Sequence, residues 1–215
     1  MLEELEKIVH NNHLAHSGLE CVHDWEQKSK PIFFPPTESD KLSIIVVSEA
    51  PNKSSFISFQ KRPDVSMTYA FSPWNPVATF LMILLGDSFR KNSDKVYWTH
   101  AQKYPKTKNQ SKQCHICSSV VQKEIEAIRP KSIITLGEFA LKAVLGPRLG
   151  EYAKEIVNSK IMERVSGIRS IKGIALPYNL FPLRHPNWGG LGTEVLNSLS
   201  DHERAIEILR QKLSL

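Results

Sequence analysis

The chain has 215 residues, 41% of them hydrophobic and 23% charged, a balance that suits one folded domain with a sizeable core and excludes a disordered or fibrous chain. A formal charge of +6 and a pI of about 9.2 suit a polyanionic partner. No apolar stretch approaches the ~20 residues of a membrane span, and the acidic, helix-like start Met1-Leu2-Glu3-Glu4 is no secretory leader, so no membrane partner and a cytoplasmic location are expected.

In chain order, Leu2, Leu5, Ile8 and Val9 mark one face of a helix over residues 1–13. A polar, proline-rich stretch follows at about 29–40. Leu42-Ser43-Ile44-Ile45-Val46-Val47 is a nearly continuous β-branched run, the mark of a strand buried on both faces. A long loop runs from Pro51 to Trp74, and a helix from Pro76 to Leu85. Val96-Tyr97-Trp98-Thr99 predicts a second strand. The basic loop after it, Lys103 to Lys112, carries four lysines. Residues 114–128 predict a helix ending at Arg129-Pro130, and Ser132–Leu136 a third buried strand broken by Gly137. A helix from Glu138 to Leu145 is closed by Gly146-Pro147. Another is expected at 151–164, a fourth strand between Ile174 and Leu183, and a last helix over about 193–213.

Strands alternating with helices predict an α/β fold, a three-layer αβα sandwich around a four-stranded parallel sheet. Ligands bind such sheets beyond the carboxyl ends of the strands. Three polar clusters fall there: Ser48-Glu49-Ala50-Pro51-Asn52, His100, and Arg184-His185-Pro186-Asn187.

Taken in order, these segments resemble the uracil-DNA glycosylase superfamily, closest to its bacterial and archaeal iron–sulfur (family 4-like) branch. Val47-Ser48-Glu49-Ala50-Pro51-Asn52 stands for that branch's strand-GEAPG, and Trp98-Thr99-His100-Ala101-Gln102-Lys103-Tyr104 for I-T-N-x-x-K-C. Cys117 lies thirteen residues before Pro130, the family's spacing for its last cluster cysteine. Arg129-Pro130-Lys131 leads to Leu136-Gly137-Glu138-Phe139-Ala140, and His185-Pro186-Asn187 stands for the closing H-P-S/A. The resemblance covers about residues 42–190 and implies a single glycosylase-like domain over 1–215.

It implies the following chemistry. A glycosylase flips a base out of the stack and breaks its bond to deoxyribose. The sugar gains oxocarbenium character while the base leaves as an anion, which a hydrogen-bond donor stabilises as an oxyanion hole would. His185 would be that donor, and Glu49 would position water or contact the base. Other branches place an Asp or Asn one position later to position water; Ala50 stands there, which leaves Glu49, Asn52 or Asp64. Ser48, Ala50, Pro51, Asn52, Phe71 and His100 would line the base pocket, with Phe71 stacking on the base. Trp188 or Leu191 would wedge into the vacated stack. Lys103, Lys106, Lys108, Asn187 and Trp188 would contact DNA, the lysines through phosphates. No lysine stands out as a Schiff-base nucleophile, so a monofunctional enzyme without a lyase step is expected.

The departures from the pattern bear on specificity. Where the family has an asparagine that reads uracil, this chain has His100; a neutral imidazole also offers one donor and one acceptor, but on opposite sides of its ring. Ser48 and Asn52 replace the glycines of the first motif. A target other than plain uracil is expected: a deaminated, damaged or modified pyrimidine, with the hypermodified cytosine of phage DNA as one case, in repair or antiviral defence.

Three cysteines cannot all pair, and in a cytoplasmic protein they are expected as thiols or metal ligands. The family cluster uses four cysteines. Here Cys21, Cys114 and Cys117 remain, Tyr104 stands at the loop position, and His23 or His16 is available as a fourth ligand. Three sulfurs and an imidazole suit structural zinc, with a 4Fe-4S cluster as the alternative; either would tether the N-terminal segment, about 1–40. A monomer, nucleoid-associated through DNA, is expected. Two other readings stay open: a catalytically silent DNA-binding protein with this fold, and a small-molecule enzyme such as a nucleoside hydrolase, against which the basic loop and the lack of a phosphate-cradling G-x-x-x-x-G-K motif count.

Overall fold

β-Branched runs dictate the centre of the molecule. In the computed structural model Ile44–Ser48 (β1), Val96–His100 (β2) and Ser132–Leu136 (β3) are strands in which every residue is buried, as expected for strands covered on both faces. The structure describes residues 2–15, 41–51, 56–57, 82, 86, 93–105, 115–185, 204 and 206–214. The predicted helix at 76–85, the long loop from Pro51 and most of the basic loop fall outside them.

The other elements are the helices Leu2–Ala15 (α1), His115–Ile128 (α2), Glu138–Leu149 (α3), Ala153–Asn158 (α4) and Ile161–Val165 (α5), and the strands Ile168–Ile171 (β4) and Ile174–Leu183 (β5). Residues 206–213 are helical as well. Among these helices none is long and apolar enough to cross a membrane.

The sheet has five strands in the order β2-β1-β3-β5-β4, not four. The first four run parallel, with Ser48 beside His100, Val47 beside Thr135 and Leu136 beside Leu183. The fifth, β4, is antiparallel on the edge. Its sequence Ile-Arg-Ser-Ile has two exposed polar residues at its centre, so it lacks the apolar signature of its neighbours. The helix expected over 151–164 is likewise divided, into a 3-10 turn at Gly150–Tyr152 followed by α4 and α5. Gly146 has non-helical angles inside α3, so the regular helix stops where Gly146-Pro147 predicts and resumes for one short turn.

Side-chain alternation along the strands sorts the core. Ile45, Val47, Tyr97, Ile133 and Leu180 belong to one cluster with Leu5 and Val9 of α1, Val120, Val121 and Ile125 of α2, and Leu141 and Val144 of α3. The alternate positions Ile44, Val46, Trp98, Ile134 and Phe181 are buried on the opposite face. Helices thus flank a central, mostly parallel sheet.

β4 and β5 are joined by Lys172-Gly173, with Ile171 paired to Ile174. Both turn residues have positive φ, 48° and 79°, the geometry of a two-residue hairpin turn that favours Asn-Gly. A lysine pays strain there that asparagine largely avoids. Lys172 also meets Glu155 at 4.0 Å through exposed side chains, a contact worth little. Lys172→Asn is therefore expected to raise stability by about 0.5–1 kcal/mol, read as an increase in the urea midpoint at unchanged slope.

Candidate functional site

The strand order reverses at β1: the chain passes from β1 to β2 on one side, then crosses back to β3 on the other. A crevice opens at such a switch, between the carboxyl ends of β1 and β3. Two features meet there. Glu49 follows β1, and Gly137 follows β3 with φ +94°. A Cβ on Gly137 would stand 2.5 Å from Glu49 Oε1, so the carboxylate lies directly over the start of α3, where backbone N–H groups favour negative charge. Only a residue without Cβ permits both the backbone angle and this approach. The Gly137 amide donates to the Leu183 carbonyl at 2.8 Å, tying the β3 turn to the end of β5.

The flanking strands supply the histidines. His100 is the last residue of β2, 4% exposed, with its ring 5.3 Å from that of Trp98. Beyond it the chain stays zipped to β1's extension: the Ala101 amide donates to the Ser48 carbonyl at 2.7 Å and the Gln102 amide to the Glu49 carbonyl at 2.9 Å. His185 follows β5 and is half-buried. Burial, first, and then the positive charge of Lys103 and of His185 lower the His100 pKa from 6.5 to about 3. His100 is therefore a neutral imidazole at any physiological pH, one nitrogen a donor and the other an acceptor.

The structure thus gathers Ser48, Glu49, Ala50, Pro51, His100 and His185 at one edge of the sheet. Glu49 and Ala50 are half-buried, and Pro51 is buried. The Ser48 hydroxyl is engaged within the scaffold: it accepts from Trp98 Nε1 at 3.1 Å and donates to the Thr99 carbonyl at 3.4 Å. Lys103 corrects the reading of a phosphate-binding lysine. It is fully buried and donates to Glu124 of α2 at 2.8 and 3.0 Å and to Thr99 Oγ1, so it presents no charge to a DNA backbone. Asn52, Phe71, Lys106, Lys108, Asn187, Trp188, Cys21, Cys114, His16 and His23 lie outside the described residues. The backbone of Cys117 falls in the first turns of α2.

Three buried residues beneath this edge, Glu124, Tyr97 and Arg164, escaped sequence reasoning as parts of the site. Glu124 is wholly buried and also accepts from Tyr97 Oη at 2.7 Å and from Thr99 Oγ1 at 3.1 and 3.2 Å. Burial and the neighbouring Glu124 carboxylate push the Tyr97 pKa well above its ordinary value, so the phenol remains a donor. The available signal was one carboxylate amid the apolar stripe Val120, Val121, Ile125 and Ile128. Arg164, 4% exposed, donates Nε to the Ser159 carbonyl at 3.1 Å and Nη1 to the Pro182 carbonyl at 3.2 Å. It braces the strand end that carries His185, and no pattern in α5 announced it.

The depressed His100 pKa has a measurable consequence. The unfolded chain takes up a proton near pH 6.5 that the folded chain refuses until about pH 3. His100 therefore leaves stability intact above pH 6.5 and erodes it as pH falls, by up to about 1.4 kcal/mol per unit. Denaturant unfolding between pH 7 and 4.5 is expected to be less steeply pH-dependent in His100→Gln than in the parent chain; identical slopes would contradict a buried neutral imidazole.

Comparison with known proteins agrees with this geometry. The family model described as the uracil DNA glycosylase superfamily matches residues 35–198, which spans β1 to β5 and every cluster on the crevice edge. A type-5 uracil-DNA glycosylase of Pyrobaculum aerophilum is 42% identical over 52 residues, which is 23% of this chain and 23% of that protein; the aligned part is thus under a quarter of the relative's length. On the match over residues 35–198, the chain belongs to the uracil DNA glycosylase superfamily.

Proposed function

We propose that this chain is a monofunctional DNA glycosylase that hydrolyses the N-glycosidic bond of a flipped non-canonical base and leaves an abasic site. The target is a deaminated, damaged or modified pyrimidine rather than plain uracil, with hypermodified cytosine of phage DNA as one case. The observation that carries the specificity is the buried, neutral His100 at the carboxyl end of β2. Its donor and acceptor point to opposite sides of one ring, so it cannot make the two-point contact that a planar amide makes to one base edge. Membership of the superfamily and the partial likeness to a uracil-DNA glycosylase support the reaction class.

In this reading the crevice between β1 and β3 receives the base and its sugar. His185 donates to the carbonyl oxygen of the departing base as charge builds there. Glu49 sits over Gly137, where its carboxylate faces the cationic sugar and orients water toward C1′. The C1′–N bond breaks, the water oxygen bonds to C1′, and the water proton ends on the released base. Phe71 and Asn52 complete the pocket, Trp188 and Asn187 fill the gap left in the duplex, and Lys106 and Lys108 bind phosphates. The protein acts as a monomer in the cytoplasm, on the nucleoid or on invading DNA. An oxyanion-type donor is worth roughly 10²–10³ in rate, so His185→Ala should lose at least about 100-fold in single-turnover base release while still binding DNA. The assay runs a panel of uracil, hypoxanthine, oxidised bases and hydroxymethyl- or glucosyl-cytosine. No release from any of them, with DNA binding intact, would favour a silent DNA-binding protein.

Cys21, Cys114 and Cys117, with His23 or His16, would hold a structural metal, which would tie the N-terminal segment to the glycosylase core and take no part in the reaction. Zinc suits three thiolates and an imidazole; a 4Fe-4S cluster is the alternative. Cys114 and Cys117 stand three residues apart in the sequence, the short spacing that metal-binding pairs use. Elemental analysis of the purified chain is expected to give one zinc per chain, lost in Cys117→Ser together with thermal stability. Iron with sulfide would replace zinc by the cluster, and no metal in either form would overturn the site.

A further inference from the structure

Lys103 and Glu124 form an ion pair from which solvent is wholly excluded, with 2.8 Å between Nζ and Oε2. Such a pair is poor at stabilising a fold, since an apolar pair of similar volume does as well or better. What it provides is direction. Among the described residues, the donors that reach Glu124 come from one short segment: Tyr97 Oη, Thr99 Oγ1 and Lys103 Nζ. One carboxylate on α2 therefore fixes two alternate residues of β2 and the loop beyond it.

The alternation has a consequence for the crevice. With Tyr97 and Thr99 held toward α2, Trp98 and His100 must face the other side of the sheet. There Trp98 Nε1 is fixed on Ser48 Oγ and its ring lies beside His100. Lys103 also reaches back to Thr99 Oγ1, which folds Ala101 and Gln102 over the end of β1. The amides of those two residues hold the Ser48 and Glu49 carbonyls. His100 and the Glu49 backbone thus hang on the same bracket.

We propose that the buried Lys103–Glu124 pair is a positioning device for base recognition, fixing His100 and the Glu49 backbone through Thr99, Tyr97 and the Ala101–Gln102 turn. Neither residue touches the base. The proposal rests on the glycosylase reading for its kinetic arm and stands apart from it for its spectroscopic arm.

The test replaces both charges in Lys103→Met/Glu124→Leu and, as a milder variant, removes only the hydroxyl links in Tyr97→Phe/Thr99→Val. Three quantities are read on each: the unfolding midpoint, the NMR titration of the His100 ring without DNA, and single-turnover release of the preferred base against uracil. The double charge variant is expected to unfold within a few degrees of the parent. Its His100 signal should titrate at higher pH, because the ring loses a neighbouring cation and its fixed setting. Base release should slow by tenfold or more and discrimination against uracil should fall at least fivefold, with DNA affinity unchanged. The milder variant should move each quantity the same way by a smaller factor, and it decides the matter if the charge variant fails to fold. Folded variants with the parent's His100 titration, rate and discrimination would overturn the proposal. If the parent releases no base, the glycosylase reading fails, and the His100 titration of Tyr97→Phe/Thr99→Val, which keeps the Lys103 charge, then decides whether the pair positions that ring.

Discussion

A parallel pair of strands can be joined only by a crossover, and that constraint orders everything else in this molecule. β1, β2, β3 and β5 must all start at one edge of the sheet and finish at the other. The residues just past the strand ends at the finishing edge are where the chain can place polar side chains without burying unpaired backbone. Because the strand order reverses at β1, the carboxyl ends of β1 and β3 form the switch point at which such sheets bind their ligands. Glu49 and Gly137 meet there, and the histidines at the ends of β2 and β5 flank it.

Holding that edge in place falls to polar groups buried beneath it. Lys103 and Glu124 index β2 from the α2 side, and Arg164 grips the Pro182 carbonyl near the end of β5. Each charge costs desolvation, and each is answered by hydrogen bonds whose geometry admits one arrangement. Glu49, His100 and His185 accordingly stand at or just past the ends of strands that are themselves braced, which suits a site whose groups must be held at fixed distances. The same burial sets the chemistry: a histidine held neutral offers a ligand hydrogen bonds and not charge.

What could be read in the sequence follows from where each signal is local. β1 and β3 are legible because burial on both faces demands an unbroken β-branched run, as Ile44–Val47 and Ser132–Leu136 supply. The clustering of Glu49, His100 and His185 is legible because strand ends in such a sheet share an edge. β4 is not, since an edge strand needs apolar residues only where it touches the core, and Arg169 and Ser170 do not. Its trace was the Lys172-Gly173 turn between two isoleucines. Lys103 misleads because it opens a run of lysines, and a run says nothing of which member turns inward. The partner that draws it in stands twenty-one residues later on α2, a pairing that no local pattern encodes.

The account's central claim is that His100 makes this a superfamily member that does not choose uracil. It is tested most directly by single-turnover release of uracil from DNA by the parent chain and by His100→Asn, measured side by side at equal DNA occupancy. The account predicts little or no uracil release by the parent and a gain of at least about tenfold in the variant, as a planar amide restores contact to one base edge. Rapid uracil release by the parent, unchanged or weakened in His100→Asn, would contradict it.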